Sequence, residues 1–155
     1  MASSEEKVIC VNRRARHNYF IEETCEAGLV LQGSEVKSLR DGKASLVDSY
    51  ARIIRGECLL LNAHISPYAA ANRFNHDPTR TRKLLLHKQE IRRLSGRVQE
   101  RGLTLIPLRL YFKDGRAKVE LGLARGKKLY DKREVLRKRA AQREVERSLK
   151  TRKQF

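Results

Sequence analysis

The side chains best suited to chemistry in this sequence are positively charged, and they are clustered. Residues 125–155 contain thirteen Lys or Arg against four acids, a net charge of +9, with few apolar residues among them. Guanidinium and ammonium groups in such a run release the counterions condensed on a nucleic-acid backbone, which gives sequence-independent affinity. The first 124 residues add twenty-two bases against fourteen acids. A positive field therefore covers the whole molecule and predicts a polyanionic partner.

The densest basic run lies in the C-terminal segment. Its bases are Lys127, Lys128, Lys132, Arg133, Arg137, Lys138 and Arg139. Runs of this kind also occur on solvated basic helices and in localisation patches, so the segment alone leaves that alternative open. The excess of bases elsewhere in the chain favours nucleic-acid binding.

Two other segments combine bases with groups that recognise RNA. The first, ahead of an apolar strand, is Asn12, Arg13, Arg14, Ala15, Arg16 and His17. Its guanidinium groups can bond phosphates in a bidentate manner and stack on bases. The second, residues 77–83, begins with an Asp-Pro turn and presents Arg80, Arg82 and Lys83 for phosphate contacts. The alternative for each segment is a polar surface loop.

One acid stands out because its neighbours are apolar. Glu26 lies between Cys25 and Ala27, and an ionised carboxylate in such a setting needs hydrogen-bonding partners. It can accept hydrogen bonds from base edges or ribose 2′-hydroxyl groups, or it can pair with a neighbouring Arg. The sequence leaves both interpretations open.

The sequence contains no recognisable constellation for catalysis or metal binding. The four His residues are scattered, no pair of acids stands out, and no Gly-rich phosphate loop precedes a helix. We therefore expect a binding protein without cofactor or metal, although an active site assembled only in three dimensions would escape this test. Aromatic residues make up 6% of the chain. That is too few for a single-strand stacking platform, so structured RNA is the better fit.

Size and composition indicate one small domain in the cytoplasm. The chain has 155 residues, 40% apolar and 34% charged, which suits a modest core with a polar extension. No apolar stretch approaches the ~20 residues that span a bilayer, and residues 1–7 lack the features of a signal peptide. The three cysteines, Cys10, Cys25 and Cys58, are typical of buried thiols in a reducing compartment.

Short strands, turns and two helices are predicted to position these groups. Strands are expected over Val8–Val11, Tyr19–Leu31 with a bend at Gly28, Tyr50–Ile54 and Cys58–Ile65, the last two joined at Arg55-Gly56. Helices are expected from an N-cap at Ser34 to Gly42 and over Lys88–Arg101, which Gly102 ends. Strands Leu103–Phe112 and Ala117–Leu123 flank Asp114-Gly115, which predicts a hairpin.

Alternation within this hairpin assigns its two faces. One face should carry Ile106, Leu108, Leu110 and Phe112 opposite Ala117, Val119, Leu121 and Leu123, while Arg109, Lys118 and Glu120 point outward. Pro107 has no backbone N–H to donate, so it should lie at an edge or a bulge.

The predicted fold class is mainly β (α+β), an antiparallel barrel like the oligonucleotide-binding fold, with flanking helices and a basic C-terminal tail. The RNA-binding barrel domain should span residues 1–130 and the tail residues 131–155. A small two-layer α+β sheet would give a similar pattern, so the topology stays open. Because the tail has only a thin apolar stripe, we expect it to be disordered when free and helical on a nucleic-acid surface.

Five blocks of residues, spread over roughly residues 8–133, carry a family resemblance. They are Asn12 to His17 with Tyr19; Glu26 to Leu29; Gly33, Glu35 to Arg40 and Gly42 to Ala44; Asp77 to Leu86; and Gly126 to Lys128 with Asp131 to Arg133. In order and spacing these blocks resemble the bacterial SsrA-binding protein family, also called small protein B. Its members are the partners of transfer-messenger RNA in trans-translation, the rescue of stalled ribosomes.

The resemblance implies a non-catalytic protein whose barrel binds the tRNA-like domain of transfer-messenger RNA near its elbow. Elongation factor Tu would deliver the RNA and protein together to a stalled ribosome. The RNA surface would include Asn12, Glu26 and Leu85, and Lys37 and Arg40 are further candidates within the matching blocks.

The resemblance also assigns the tail to the ribosome. Gly126, Lys127 and Lys128 would lead into a tail that lies in the empty messenger channel, and Tyr130 could stack on a decoding-centre base. The other candidates for this surface are Asp131, Lys132, Arg133, Arg137, Lys138 and Arg139. We expect a monomer. The alternative is a ribosomal protein or rRNA chaperone that binds structured RNA, since either would share the charge and the tail.

Overall fold

Antiparallel strands that close on themselves form the body of the protein. The computed structural model describes residues 5–69, 75–126, 139–140 and 142–147. Its elements are β1 (Glu6–Val11), α1 (Arg13–Asn18), β2 (Tyr19–Leu29), α2 (Gly33–Arg40), β3 (Ala44–Ser45), β4 (Tyr50–Ile54), β5 (Glu57–Leu61), β6 (His64–Ile65), β7 (Arg82–Leu85), α3 (Lys88–Arg101), β8 (Thr104–Lys113) and β9 (Arg116–Gly126).

The predicted barrel is confirmed by the strand pairing. The strands β8, β4, β5, β7, β2 and β9 follow one another, and β9 pairs with β8 to close the ring. One edge of β8 is shared, because β4 meets it at Leu105 while β1 pairs with it over Arg109–Lys113. Closure of this kind leaves few unpaired strand edges, and it decides against the two-layer alternative.

The hydrophobic core fills the inside of this ring. Leu60, Leu84, Leu110 and Leu121 are at most 1% exposed, and all belong to one cluster of buried residues. Helix α3 adds its one fully buried residue, Leu94, to the same cluster. Its basic side then forms ion pairs with acids of β2, which fix the helix against the barrel wall.

The β8–β9 hairpin forms around Asp114 and Gly115 as predicted, and both have positive φ. The register shifts between Pro107 and Arg109, which confirms the prediction of an edge or bulge at this proline. The prediction of a single apolar face on β8 is wrong. Ile106 and Leu108 pack in a second, smaller cluster with Ala15, whereas Leu110 lies in the main core. The bulge is the cause, because one extra residue reverses the alternation of side chains.

Local turn signals set most element limits. Gly42 and Gly102 end helices and Gly56 lies in a tight hairpin, as predicted. All three have the positive φ that these positions require. Helix α2 begins earlier than expected, because Gln32 rather than Ser34 caps it through a capping box with Glu35. The predicted strand Cys58–Ile65 is broken at Asn62, which has a φ of 62°. The irregularity in β2 lies between Ile21 and Glu23 rather than at Gly28.

The described part of the tail is short. Residues 139–140 and 142–147 are helical and exposed, and the rest of the predicted tail lies outside the described residues. The division into a barrel domain and a tail, and the tail's order in the free protein, therefore stay predictions. None of the helices in the described residues combines the length and apolar character needed to cross a membrane.

Candidate nucleic-acid interface

Glu26 and Leu85, which are far apart in sequence, meet in one surface recess. Strands β2 and β7 are neighbours, with Gly28 paired to Leu85. Because β7 turns Arg82 and Leu84 inward, Leu85 points outward and is 54% exposed. The recess has a volume of about 400 Å³. It is lined by Glu26, Gly28, Leu85, Leu86, His87, Glu90 and Lys118.

A second recess of about 320 Å³ shares Gly28, Leu85 and Lys118 with the first and extends towards Phe112 and Arg116. The two recesses therefore lie on either side of Leu85. We call this surface, residues 26–28, 85–87 and 116–118, the Glu26 recess. An apolar side chain flanked by one acid and two bases can contact a nucleobase while the bases meet phosphates.

Glycine at position 28 allows the close approach of the two strands. A Cβ built on Gly28 would lie 3.3 Å from the Cβ of Leu85, closer than side chains normally pack. A side chain at this position would therefore require Leu85 to shift by a few tenths of an ångström.

The carboxylate of Glu26 is held by two donors, neither of which is an arginine. The hydroxyl of Tyr111 donates a hydrogen bond to Oε2, and the ammonium of Lys113 lies 3.4 Å from the same oxygen. The Tyr111 hydrogen bond is the main reason why the pKa of Glu26 lies below its ordinary value, and Lys113 and Lys118 add to the effect. Glu26 is therefore ionised at neutral pH and can accept hydrogen bonds from a ligand. The sequence allowed a neighbouring Arg as the partner of Glu26, whereas in the structure its partners are Tyr111 and Lys113.

The assignment of Arg82 to the RNA surface is wrong. Its side chain is 0% exposed and pairs with Glu35, which is also 0% exposed. The Arg82 guanidinium also donates to the carbonyl oxygen of Ala63 at 2.7 Å. A buried cation must be neutralised within the fold, so Arg82 joins β7 to α2 and does not meet phosphate.

The other two bases of that segment do reach the surface. The Arg80 side chain is 30% exposed and lies 2.6 Å from the carboxylate of Glu35. Lys83 is 49% exposed, with Glu57 at 3.4 Å. Both can therefore contact phosphate, Lys83 more freely than Arg80. On helix α2, Lys37 and Arg40 are exposed, and the ammonium of Lys37 lies 5.6 Å from the centre of the Tyr68 ring.

Asn12 is part of the framework, contrary to its assignment as an RNA contact. The side chain is buried, and its Nδ2 donates to the carbonyl oxygens of Pro107 at 3.0 Å and Leu46 at 3.3 Å. These bonds join the chain ahead of α1 to the bulge of β8. The structural role that these bonds give Asn12 is to fix the start of α1.

The guanidinium cluster lies on helix α1, which the sequence patterns did not predict. Buried Ala15 anchors the helix, while its exposed residues are Arg13, Arg14, Arg16 and His17. Helix α1 ends next to Tyr19, at the opposite end of β2 from Glu26. At ~3.3 Å per residue, the seven residue steps from Tyr19 to Glu26 along the strand span about 23 Å. Helix α1 and the Glu26 recess are therefore two separate basic surfaces.

Sequence reasoning missed the residues of the hairpin that complete the recess. Lys113, Arg116 and Lys118 surround the Asp114-Gly115 turn, and Tyr111 lies 1% exposed beneath Glu26. The outward direction of Lys118 was predicted, but its place beside Gly28 depends on the pairing of β2 with β9. No signal in the sequence gives that register.

Most of the tail candidates lie outside the described residues. These are Lys127, Lys128, Tyr130, Asp131, Lys132, Arg133, Arg137 and Lys138. Gly126 ends β9 opposite Tyr19, and Arg139 lies exposed in the described helical segment. Within the part of the chain that the structure describes, no group of three or more His, Cys, Asp or Glu residues is placed to hold a metal ion.

Comparison with known proteins assigns this arrangement to a family. Residues 9–151 match the profile described as SmpB protein. The chain belongs to the SmpB protein family. The SsrA-binding protein of Desulforudis audaxviator (strain MP104C) is 66% identical over 148 residues, which cover 96% of this chain and 97% of that protein. The SsrA-binding protein of Geobacillus thermodenitrificans (strain NG80-2) is 59% identical over 155 residues, the whole of both chains.

The fold also matches a solved structure described as "tmRNA-SmpB: a journey to the center of the bacterial ribosome". That chain is 56% identical, with a TM-score of 0.63, and the match covers 81% of this chain and 85% of that one. The relatives and the solved structure agree with the resemblance in the five sequence blocks.

Proposed function

We propose that this protein binds SsrA RNA, the transfer-messenger RNA, and takes part with it in trans-translation on the ribosome. The observation that carries the proposal is the Glu26 recess, in which an ionised acceptor, an exposed Leu and flanking bases share one surface. An ionised carboxylate among bases would weaken a surface that bound only phosphates, because the carboxylate repels the phosphate backbone of a nucleic acid. Its presence favours readout of specific donors, such as base edges or 2′-hydroxyl groups.

The spacing of the basic surfaces supports a folded RNA as the ligand. Helix α1 and the Glu26 recess are about 23 Å apart along β2. One compact RNA with a bent or looped shape can contact both, as the tRNA-like domain of transfer-messenger RNA would. Its elbow would lie over the recess, with phosphates near Arg80 and Lys83.

The tail would act separately from the barrel. Gly126 marks the end of β9, and the basic residues beyond it would enter the messenger channel of a ribosome that lacks a codon. Residues 142–147 form a helical segment in which every residue is exposed, which fits a segment whose partner is ribosomal RNA. Elongation factor Tu would take part indirectly through the RNA.

The protein would do this work without catalysis. A ribosomal protein or rRNA chaperone is the alternative, and it would bind ribosomal RNA as well as it binds SsrA RNA. A nucleic-acid enzyme on the same scaffold would degrade or modify a labelled RNA that a binding protein leaves intact.

The test is a gel-shift comparison of the isolated tRNA-like domain, an ordinary tRNA and a random RNA duplex at one fixed salt concentration. The proposal expects the tRNA-like domain to bind at least tenfold more tightly than the other two, with every RNA recovered intact. Equal affinity for all three would refute it, and tighter binding to ribosomal RNA fragments would favour the alternative.

The division of labour is tested by removing residues 127–155. The shortened protein should bind the tRNA-like domain at least as selectively as the full chain, with affinity reduced mainly at low salt. It should fail to rescue stalled ribosomes in a reconstituted translation reaction. Loss of selectivity after truncation would show that the barrel does not carry recognition.

A further inference from the structure

Tyr111 is a buried tyrosine with an unusual partner. Its side chain is 1% exposed, and a buried phenol needs a hydrogen-bond acceptor. The acceptor is the carboxylate of Glu26, a residue whose side chain is 37% exposed. A rigid buried group therefore holds an acid at the protein surface.

The ring of Tyr111 spans the width of a strand to reach this acid. Tyr111 lies on β8 and pairs with Lys118 of β9, whose other edge meets β2 and Glu26. Two strand spacings of ~4.8 Å separate the backbones of β8 and β2. The long, rigid side chain of Tyr111 carries its hydroxyl towards β2, where it meets the Glu26 carboxylate. Because Tyr has few rotatable bonds, holding the hydroxyl there costs little conformational entropy.

The ring is itself held in place from the outer side. The guanidinium of Arg109 lies 4.1 Å from the ring centre, a cation–π distance. Arg109 in turn is fixed by Glu120 at 2.7 Å and Glu6 at 3.1 Å. A continuous row of side chains therefore runs from β1 through Arg109 and Tyr111 to Glu26.

The two donors that reach Glu26 both engage the same oxygen. Tyr111 and Lys113 donate to Oε2, whereas Oε1 has no hydrogen-bond donor among the described residues. Because Glu26 lines the recess, Oε1 is the oxygen available to a ligand there. Of the two donors, Lys113 makes the longer contact at 3.4 Å and is 32% exposed, so solvent weakens it. The Tyr111 hydroxyl is the donor that fixes the orientation.

We propose that Tyr111 is a positioning residue for RNA recognition, whose hydroxyl orients the Glu26 carboxylate so that Oε1 accepts a hydrogen bond from the RNA. This inference rests on the proposed function. In addition, it makes RNA selectivity depend on Tyr111, a buried residue that cannot itself contact RNA. A carboxylate free to rotate would have to be ordered on binding, which costs affinity.

The test is a double-mutant cycle on binding of the tRNA-like domain at fixed salt. The variants are Tyr111→Phe, Glu26→Gln and the two combined, and Tyr50→Phe on β4 is the matched control for losing a hydroxyl. Tyr111→Phe should weaken binding about fivefold, the effect expected when one side chain has to be ordered on binding. In the Glu26→Gln background the same change should have less than a twofold effect, because no carboxylate is left to orient.

A readout independent of RNA separates positioning from folding. In the free protein, carboxyl NMR should show that Tyr111→Phe raises the pKa of Glu26, since its main stabilising donor is lost. The urea midpoints of unfolding are measured for every variant, and the phenylalanine keeps the ring that packs on Arg109. Tyr50→Phe should change neither the pKa of Glu26 nor RNA binding.

The possible failures can be told apart. If the wild-type protein does not select the tRNA-like domain, the proposed function fails, and this inference fails with it. If the wild type is selective but Tyr111→Phe binds as tightly, or loses the same factor with and without Glu26, the inference alone is overturned. An unchanged pKa of Glu26 in Tyr111→Phe would also overturn it.

Discussion

Replacing Glu35 by Gln is expected to lower the free energy of unfolding by about 3–5 kcal/mol, the usual cost of removing one partner from a buried ion pair. Glu35 and Arg82 are both 0% exposed. The carboxylate accepts hydrogen bonds from Arg82, from Arg80 at 2.6 Å and from the backbone N–H of Gln32 at 2.8 Å. Gln keeps the size of the side chain but leaves the Arg82 guanidinium buried without an anion.

The predicted loss is large for a protein of this size. Small domains have unfolding free energies of about 5–15 kcal/mol, so the variant should unfold at a clearly lower urea concentration. The matched control is Glu57→Gln, which removes the surface partner of Lys83. Those side chains are 55% and 49% exposed and 3.4 Å apart, so the control should lose less than about 1 kcal/mol.

The pH dependence gives a second readout of the same pair. Burial alone would raise the pKa of Glu35, but the hydrogen bonds from Arg80, Gln32 and Arg82 outweigh it, and the folded pKa lies below the ordinary value of 4.5. The unfolded chain therefore takes up the proton at a higher pH than the folded one. The stabilisation from the pair is present above pH 4.5 and is lost as the pH falls through the folded pKa.

Both the loss of stability at pH 7 and its pH dependence can be measured by urea denaturation. The wild type, Glu35→Gln and Glu57→Gln are compared at pH 7 and at several lower pH values. The wild type should lose stability in acid more steeply than Glu35→Gln, which lacks the titrating group. The reasoning is refuted if Glu35→Gln loses no more stability at pH 7 than Glu57→Gln does.

Four further predictions concern particular contacts and buried groups. Asn12→Ala should cost about 1–3 kcal/mol, because two buried carbonyl groups lose their donor, so urea midpoints must fall along with RNA affinity. Gly122→Ala should cost about 1–3 kcal/mol in the same assay, since its Cβ would lie 3.1 Å from Leu108. Gly96→Ala, in open space on α3, should instead stabilise the protein by about 0.5–1 kcal/mol. The Cys58 thiol, 0% exposed and with its pKa raised to about 12 by burial, should resist alkylation at pH 8 until urea unfolds the protein.

The elements that the sequence predicted well are those set by local chemistry. The Asp114-Gly115 hairpin, helix α3 and the bulge at Pro107 each follow from backbone constraints within a few residues. Net charge is a sum over residues and needs no fold, so the class of partner was readable from composition as well.

The face assignment of β8 failed because it assumed unbroken alternation, whereas Pro107 was compatible with either an edge or a bulge. Only the bulge, which the structure shows, reverses the faces. Helix α1 was missed for a related reason. It is one and a half turns long, and its only buried residue is Ala15, so no apolar periodicity marks it.

The sequence by itself determined most of the longer strands, the hairpin turns, the positive charge and the presence of a lone acid in an apolar segment. It did not predict the short strands β3, β6 and β7 as separate elements. Only the tertiary structure decided which of the candidate residues can meet a ligand. Arg82 and Lys83 are adjacent bases of one strand, yet Arg82 is buried in an ion pair with Glu35 whereas Lys83 is exposed to solvent. Glu26, Leu85 and Tyr111 meet only through the pairing of β2 with β7 and β9. Turn and helix signals act over a few residues, whereas burial and strand register depend on contacts between distant parts of the chain.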